Sequence, residues 1–190
     1  EIRRYEPFNE QEREDKKEIL RQMEQADHIL TRDNRNAHIT VSAWIMDRDR
    51  KKVLMAYHNL YQSWAWLGGH ADGDADLKAV ALKEIREESG LESVRFVTED
   101  IFSLEILTVD GHEKRGSYVP SHLHLNVTYL LEADPELPLR IKEDENSEIG
   151  WIGVEEIQRR STEKWFVERI YSKLCKKAQS LRNGKLAIPE

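Results

Sequence analysis

The segment that most restricts what this chain can fold into runs from Asp76 to Gly90. Asp76 is a good helix N-cap, because its side-chain oxygen accepts an otherwise unpaired backbone N–H, and Gly90 is the expected left-handed stop. Between them Glu84, Glu87 and Glu88 stand at i, i+3 and i+4, which brings three carboxylates to one side of a helix within reach of a common ion. A solvated acidic face would carry such charges too, and the helical wheel separates the two cases. At about 100° per residue, Leu77, Val80 and Ala81 fall on the side of the glutamates, while Lys78, Lys83 and Arg86 take the other. The stripe is apolar in its first turns and acidic in its last, so the carboxylates are expected to face the protein body. Like charges held together away from water are costly unless a cation neutralises them. Every nearby candidate ligand is an oxygen, which points to a hard divalent ion, Mg²⁺ or Mn²⁺, of the kind that keeps waters and binds substrate phosphates. Hydrolysis is the paired chemistry, since such an ion polarises a phosphoryl oxygen and lowers the pKa of an attacking water. Glycines at 68, 69 and 73 let the backbone pass close to that site.

The remaining pattern surrounds this helix with strands. Residues 10–30 read as a charged helix: Asn9 and Glu12 have capping-box spacing, and Ile19, Met23, Ala26 and Leu30 form a narrow apolar stripe. From His38 the chain alternates, with Ile39, Val41, Ala43 and Ile45 on one face and Thr40, Ser42 and Trp44 on the other. The polar run Asp47–Lys51 turns it into a second strand, Val53–Tyr57, as a hairpin. Ile101–Val109 and His122–Leu131 are rich in strand formers, with a loop at Asp110–Pro120 between them and a last short strand around Trp151. Val154–Arg159 reads as a short helix. A longer one runs from about Glu163 to Leu181, with Phe166, Ile170, Leu174 and Ala178 as its apolar stripe and Ser161 or Thr162 able to cap it. This order favours an α+β sandwich over a βαβ repeat. The 190 residues divide into an N-terminal helical extension (1–35), a central domain (36–160) and a C-terminal helix packing on it (161–190).

Bulk composition narrows the partners. Charged residues make up 34% and hydrophobic ones 39%, as in a soluble globular protein. A net charge of −7 argues against a generic grip on nucleic acid or anionic lipid, although a bound metal inverts the local field for a small anionic substrate. No apolar run approaches the ~20 residues of a membrane span, and the charged Glu1–Arg4 start lacks a signal-peptide core, so a cytoplasmic location is expected. The single cysteine, Cys175, permits no internal disulfide and reads as a helix-packing residue.

The acidic helix and its approach resemble the signature of the Nudix hydrolases, G-x5-E-x7-R-E-U-x-E-E-x-G-U with U aliphatic. Gly69 matches the first glycine, and Glu84, Ile85, Glu87, Glu88, Gly90 and Leu91 match the second half position by position. Trp66-Leu67-Gly68 resembles the usual approach to the box. The resemblance implies an α/β/α sandwich around a mixed sheet, with the terminal helices as additions. It also implies a metal-dependent hydrolase that cleaves the diphosphate of a nucleoside diphosphate linked to another moiety: a nucleotide sugar, ADP-ribose, a dinucleotide or a dNTP. Glu84, Glu87 and Glu88 would hold Mg²⁺ or Mn²⁺, and Gly68, Gly69, His70 and Trp66 would border the substrate. A general base in this family often comes from a late loop, here Asp144–Glu148, which makes Glu145 and then Glu148 the candidates beside Glu87 itself. Two positions depart from the signature: Ala75 replaces the first glutamate and Lys83 the arginine, with Asp72 or Asp74 as possible substitute carboxylates. A non-catalytic nucleotide sensor on the same fold is the alternative these departures support. Isopentenyl diphosphate isomerase chemistry is disfavoured, because Cys175 is remote in sequence from the glycines.

Two weaker signals remain. His122 and His124 share a strand face and are expected to line the substrate cleft; zinc would need a third and fourth ligand, and none stands out by spacing. Tyr61, Trp64 and Trp66 precede the box and are candidates either for stacking on a nucleobase or for packing. The apolar stripes of the terminal helices leave a homodimer open.

Overall fold

In the computed structural model, which describes residues 1–114 and 116–182, the charged N-terminal segment forms α1 (Glu10–Gln25). Asn9 caps it by accepting the Glu12 backbone N–H at 2.9 Å. Glu12 reaches back past the cap and accepts the Phe8 N–H at 2.7 Å, with its side chain fully buried. The helix stops at Gln25 instead of continuing to residue 30, because Ala26 is already extended (φ −108°, ψ 132°). From there the chain turns to feed the sheet, where Ile39 N–H donates to the Ile29 carbonyl at 2.8 Å. The expected stripe is therefore cut short: Ile19 is buried, Met23 is exposed, and Ala26 and Leu30 lie beyond the helix.

The strand beginning near His38 is β1 (Ala37–Met46), buried along its whole length on both faces. Asp47 then shapes the expected turn, its carboxylate accepting the N–H groups of Lys51 and Lys52 at 2.7 and 2.8 Å. There follow β2 (Lys52–His58), β3 (Ser63–Ala65), β4 (Leu67–His70), α2 (Leu77–Ser89), β5 (Arg95–Phe96) and β6 (Ser103–Val109). Between Asp110 and Pro120, expected as a plain loop, the chain pairs with itself as a ribbon of β7 (His112–Lys114) and β8 (Ser117–Val119). The chain then continues through β9 (His122–Glu132), β10 (Asn146–Gly153) and the single-turn α3 (Ile157–Arg160). A π-helical turn (Phe166–Tyr171) leads into α4 (Ser172–Arg182). The long C-terminal helix expected from Glu163 thus carries a wide turn where Trp44 stacks on Tyr171 at 5.4 Å. Ser63 tethers its approach: the Ser63 hydroxyl accepts the Thr162 N–H at 3.0 Å and lies 3.1 Å from the Ser161 hydroxyl.

β1 lies at the centre of a mixed sheet. It runs parallel to β9 over its full length and antiparallel to β2 and β4, while β6 and β5 pair with β9, and β3 and β10 with β2. The central strand is buried on both faces, and two cores result. Ile39, Val41, Ala43 and Ile45 pack with Val80, Ala81 and Ile85 of α2 and Ile19 of α1. Trp44 and Met46 pack on the other side with Ile170, Tyr171, Leu174 and Ala178. The architecture is the expected α+β sandwich of mixed sheet with helices added at both ends. The C-terminal addition was expected to reach residue 190, and residues 183–190 lie outside the described part. No described helix is long and apolar enough to cross a membrane.

The two added helices are joined to the sheet by buried charge. Lys173 of α4 contacts Glu12 of α1 at 3.2 Å and Glu105 of β6 at 2.9 Å, with all three side chains buried. Lys177 adds a contact to Glu12 at 3.4 Å. Thr128 and Asn126 donate to Glu105 at 2.8 and 3.2 Å, and Ser103 donates to Glu12 at 2.7 Å. Burial by itself would raise Glu12, but Lys173, Lys177 and the Tyr5 hydroxyl outweigh it and hold the carboxyl below its ordinary range.

Candidate functional site

The acidic helix forms with the expected caps. Asp76 accepts the Ala79 N–H at 3.1 Å, and Gly90 takes the left-handed conformation (φ 71°) that ends the helix without a Cβ penalty. Of the three carboxylates, Glu84 and Glu88 face the protein body, being 9% and 6% exposed. Glu87 departs from the expectation. Its side chain is 43% exposed, because the turn that buries Glu84 and Glu88 against β4 carries the position between them to the rim.

β4 is what brings the glycines to these acids. The Gly68 N–H donates to Glu88 at 2.9 Å, and Asn146 at the start of β10 donates to the other Glu88 oxygen at 3.4 Å. Gly69 lies flat against Glu84: a Cβ built there would sit 2.4 Å from the carboxyl carbon and 2.6 Å from both oxygens. Only glycine leaves that space to the carboxylate. The loop ahead of β10 adds Glu145, whose charge acts on both Glu84 and Glu88. Glu148 instead stands exposed on β10 opposite Tyr57.

Two lysines partly balance this negative cluster. Lys83 lies 3.9 Å from Glu84 and 3.8 Å from Glu87. Lys142 lies 3.0 Å from Glu145 and 4.0 Å from Glu87. Neither reaches Glu88 in an ion pair among the described residues. Burial, reinforced by the neighbouring charges of Glu84 and Glu145, pushes Glu88 up to about 8 despite the Gly68 hydrogen bond. Glu84 is raised as well, by burial first and then by Glu87. Buried like charges and an all-oxygen donor set fit a hard divalent cation, as does the Asn146 Oδ1 beside them, which is buried without a hydrogen-bond partner.

The substitutes considered for Ala75 do other work. Asp72 is held by Arg32 at 2.8 and 2.5 Å, and Asp74 accepts the Asp76 N–H at 2.8 Å. Both shape the loop into α2. The arginine that reaches Asp72 comes from the segment after α1, a partner no local pattern indicates.

Adjacent residues on a strand point to opposite faces, so the sheet divides the remaining candidates. Gly69 and its partner Val41 face the carboxylates, whereas His70 and its partner Thr40 face away. On that second face His124 stands opposite His38 in the β1–β9 ladder, with His122 two residues before it. The two histidines read from sequence are thus joined by His70 and by His38, which sequence reasoning missed. Burial pushes His124 down to about 2 and lowers His38. Trp66 packs edge-on against Trp44, Phe166 and Tyr171. Trp64 is buried beside Tyr57, and Tyr61 is exposed near His58. Cys175 packs against the second core, and burial pushes its thiol up to about 12.

The fold is shared with solved structures of low sequence identity. An Ap4A hydrolase binary complex from C. elegans aligns with a TM-score of 0.53 and 18% identity, covering 77% of this chain and 98% of that one. The MutT protein from Methanosarcina mazei Go1 gives 0.52 and 16%, with coverage of 77% and 98%. The NUDIX domain of Shewanella oneidensis NrtR, complexed with ADP ribose, gives 0.50 and 14%, with coverage of 86% and 97%. A search of curated proteins finds no match. A family model described as the NUDIX domain matches residues 36–174, which is most of the chain and extends past residue 160 into the C-terminal helix; the chain belongs to the NUDIX domain family.

Proposed function

We propose that this protein is a Nudix pyrophosphohydrolase that cleaves the diphosphate of a nucleoside diphosphate linked to a second moiety. The observation that carries this reading is the convergence of Glu84, Glu87, Glu88 and Glu145 around the Gly68-Gly69 backbone, with Lys83 and Lys142 alone in ion pairs with them among the described residues. Glu84 and Glu88 would hold Mg²⁺ or Mn²⁺ from the buried side and Glu87 from the rim. When bound, that ion supplies positive charge to the substrate phosphates and polarises a phosphoryl oxygen. Glu145, paired with Lys142 at 3.0 Å, is the first candidate to take the proton of the attacking water, ahead of Glu87 and Glu148. Gly69 leaves the Glu84 carboxylate room to stand against β4, and Gly68 lets β4 lie close to β1 while its N–H holds Glu88. His70, His122 and His124, expected from the sequence to border the substrate, stand on the sheet face turned away from the carboxylates, and Trp66 packs there against Trp44 and Tyr171, so none of them is assigned a contact with the diphosphate. The nucleotide class is supported by the names of the similar structures, one an Ap4A hydrolase and one a domain with bound ADP ribose.

The test is turnover of a panel of nucleotide sugars, ADP-ribose, dinucleotides and dNTPs with Mg²⁺, followed by phosphate-containing products. Product formation that falls by about 10²-fold or more in Glu87→Gln supports the enzyme. Tight binding without product from any compound would favour the sensor reading. That second reading rests on Ala75 and on Lys83, whose ammonium lies on two of the proposed ligands.

A further inference from the structure

We propose that His38, His70 and His124 form a second metal site, for a borderline transition-metal ion such as Zn²⁺, on the sheet face turned away from the carboxylate helix. Each comes from a different strand: His38 from β1, His70 from β4 and His124 from β9. One ligating atom from each lies within 4.8 Å of the others. The ring centres of His38 stand 5.1 Å from those of His70 and His124, and these two are 4.9 Å apart. Imidazoles bound to one tetrahedral ion at Zn–N of about 2.0–2.1 Å place their ring centres about 5 Å apart. The cluster already has that spacing.

A second observation is independent of the spacing. His38 is 4% exposed, and its Nε2 is buried with no hydrogen-bond partner. Its Nδ1 lies 3.0 Å from the Asn34 carbonyl. A carbonyl only accepts, so Nδ1 carries the proton and Nε2 keeps its lone pair. A backbone carbonyl fixing the tautomer of a ring while the other nitrogen is left for a metal is a recurrent outer-shell arrangement. An acceptor nitrogen left without a donor in a dry site is costly, and a cation held with the two neighbouring rings would satisfy His38.

His122 borders the fourth position. Its Nδ1 is likewise committed to a carbonyl, that of Pro120 at 2.9 Å, and its Nε2 faces the Nε2 of His124 at 3.2 Å. A cavity of about 350 Å³ lies beside His122 and is lined also by Asn36, Asp110 and Ser121. Three imidazoles with an open fourth position suit an ion that takes up a water or an anionic ligand. An oxygen-seeking ion such as Mg²⁺ does not suit this donor set, so the two sites are expected to sort metals by ligand chemistry.

The experiment uses the full chain, stripped with chelator and titrated with Zn²⁺ alone in the presence of excess Mg²⁺ to occupy the carboxylates. The expected result is one Zn²⁺ per chain by calorimetry, weakened at least about 100-fold in His38→Ala and His124→Ala, and retained in Glu88→Gln. Imidazole nitrogen resonances of the wild-type protein provide a readout that does not depend on a variant folding: Zn²⁺ should shift Nε2 or Nδ1 signals of three histidines. Zinc that leaves those resonances unmoved, or binding that Mg²⁺ or Glu88→Gln abolishes, would overturn the proposal.

Discussion

This molecule buries glutamates in two places and treats them in opposite ways. At the junction of α1, β6 and α4, Glu12 and Glu105 enclose Lys173, with Lys177, Ser103, Thr128 and Asn126 completing their hydrogen bonds. At α2, Glu84 and Glu88 are buried beside Glu87 and Glu145, while the nearest ammonium groups stay at the rim. The first cluster lowers a carboxyl below its ordinary range; the second raises one to about 8. Burial costs both clusters alike, so the difference lies in the counter-charge. Where the chain supplies its own cation, the acids are structural and fasten the terminal helices to the sheet. Where its lysines stay at the rim, the acids keep the uncompensated charge on which the proposed divalent site rests.

The largest expected effect breaks the first cluster. Lys173→Met leaves two carboxylates buried without their central cation, and removal of one member of a buried pair costs about 3–5 kcal/mol. Urea unfolding should show that loss, and a change under about 1 kcal/mol would reduce the network to the level of surface ion pairs. The second cluster should respond with the opposite sign. Glu88→Gln removes a carboxylate that is costly when ionised, so the metal-free protein at pH 8 should gain on the order of 1–3 kcal/mol. A loss of stability there would refute the contrast.

A smaller effect is expected from the ion itself. Glu88 binds its proton more tightly in the folded than in the unfolded chain, so the metal-free fold is favoured at acid pH and loses stability as pH rises from its ordinary 4.5 toward about 8. Mg²⁺ should therefore raise Tm by about 2–6 °C at pH 8 and by less at pH 5.5, where protons already quiet the site. An equal shift at both pH values would break the link between the raised carboxyls and the cation. The smallest expected effect is at Glu12, whose depressed value has the reverse sign: it stabilises above about 4.5, and that contribution is lost as pH falls below. Thermal melts between pH 5 and pH 3 should show a shallower acid limb in Glu12→Gln than in the wild type.

The comparison also explains what could be read before folding. The α2 cluster is local: Asp76, the three glutamates and Gly90 lie within one helix, so period and caps already describe them. The same wheel over-reached at Glu87, since a wheel gives an angle and not the height at which a neighbouring strand ends its cover. The other cluster is non-local. Glu12 looked like half of a capping box, and nothing near it in sequence marks it as the partner of Lys173. The histidines behave alike: His122 and His124 share a face by period alone, but His38 and His70 join them only because β9 runs parallel to β1 and β4 antiparallel.

The sequence by itself determined the elements whose information is contained in a few turns. These are the capped acidic helix, the glycines beside it, the central alternating strand and the signature that joins them. Tertiary structure alone decided the strand order, the pairing of Glu12 and Glu105 with Lys173, the exposure of Glu87 and the gathering of histidines from three strands. Helix period and capping are fixed by bonds between residues three or four apart. Contacts between distant segments depend instead on sheet register, which is set by the packing of the whole chain.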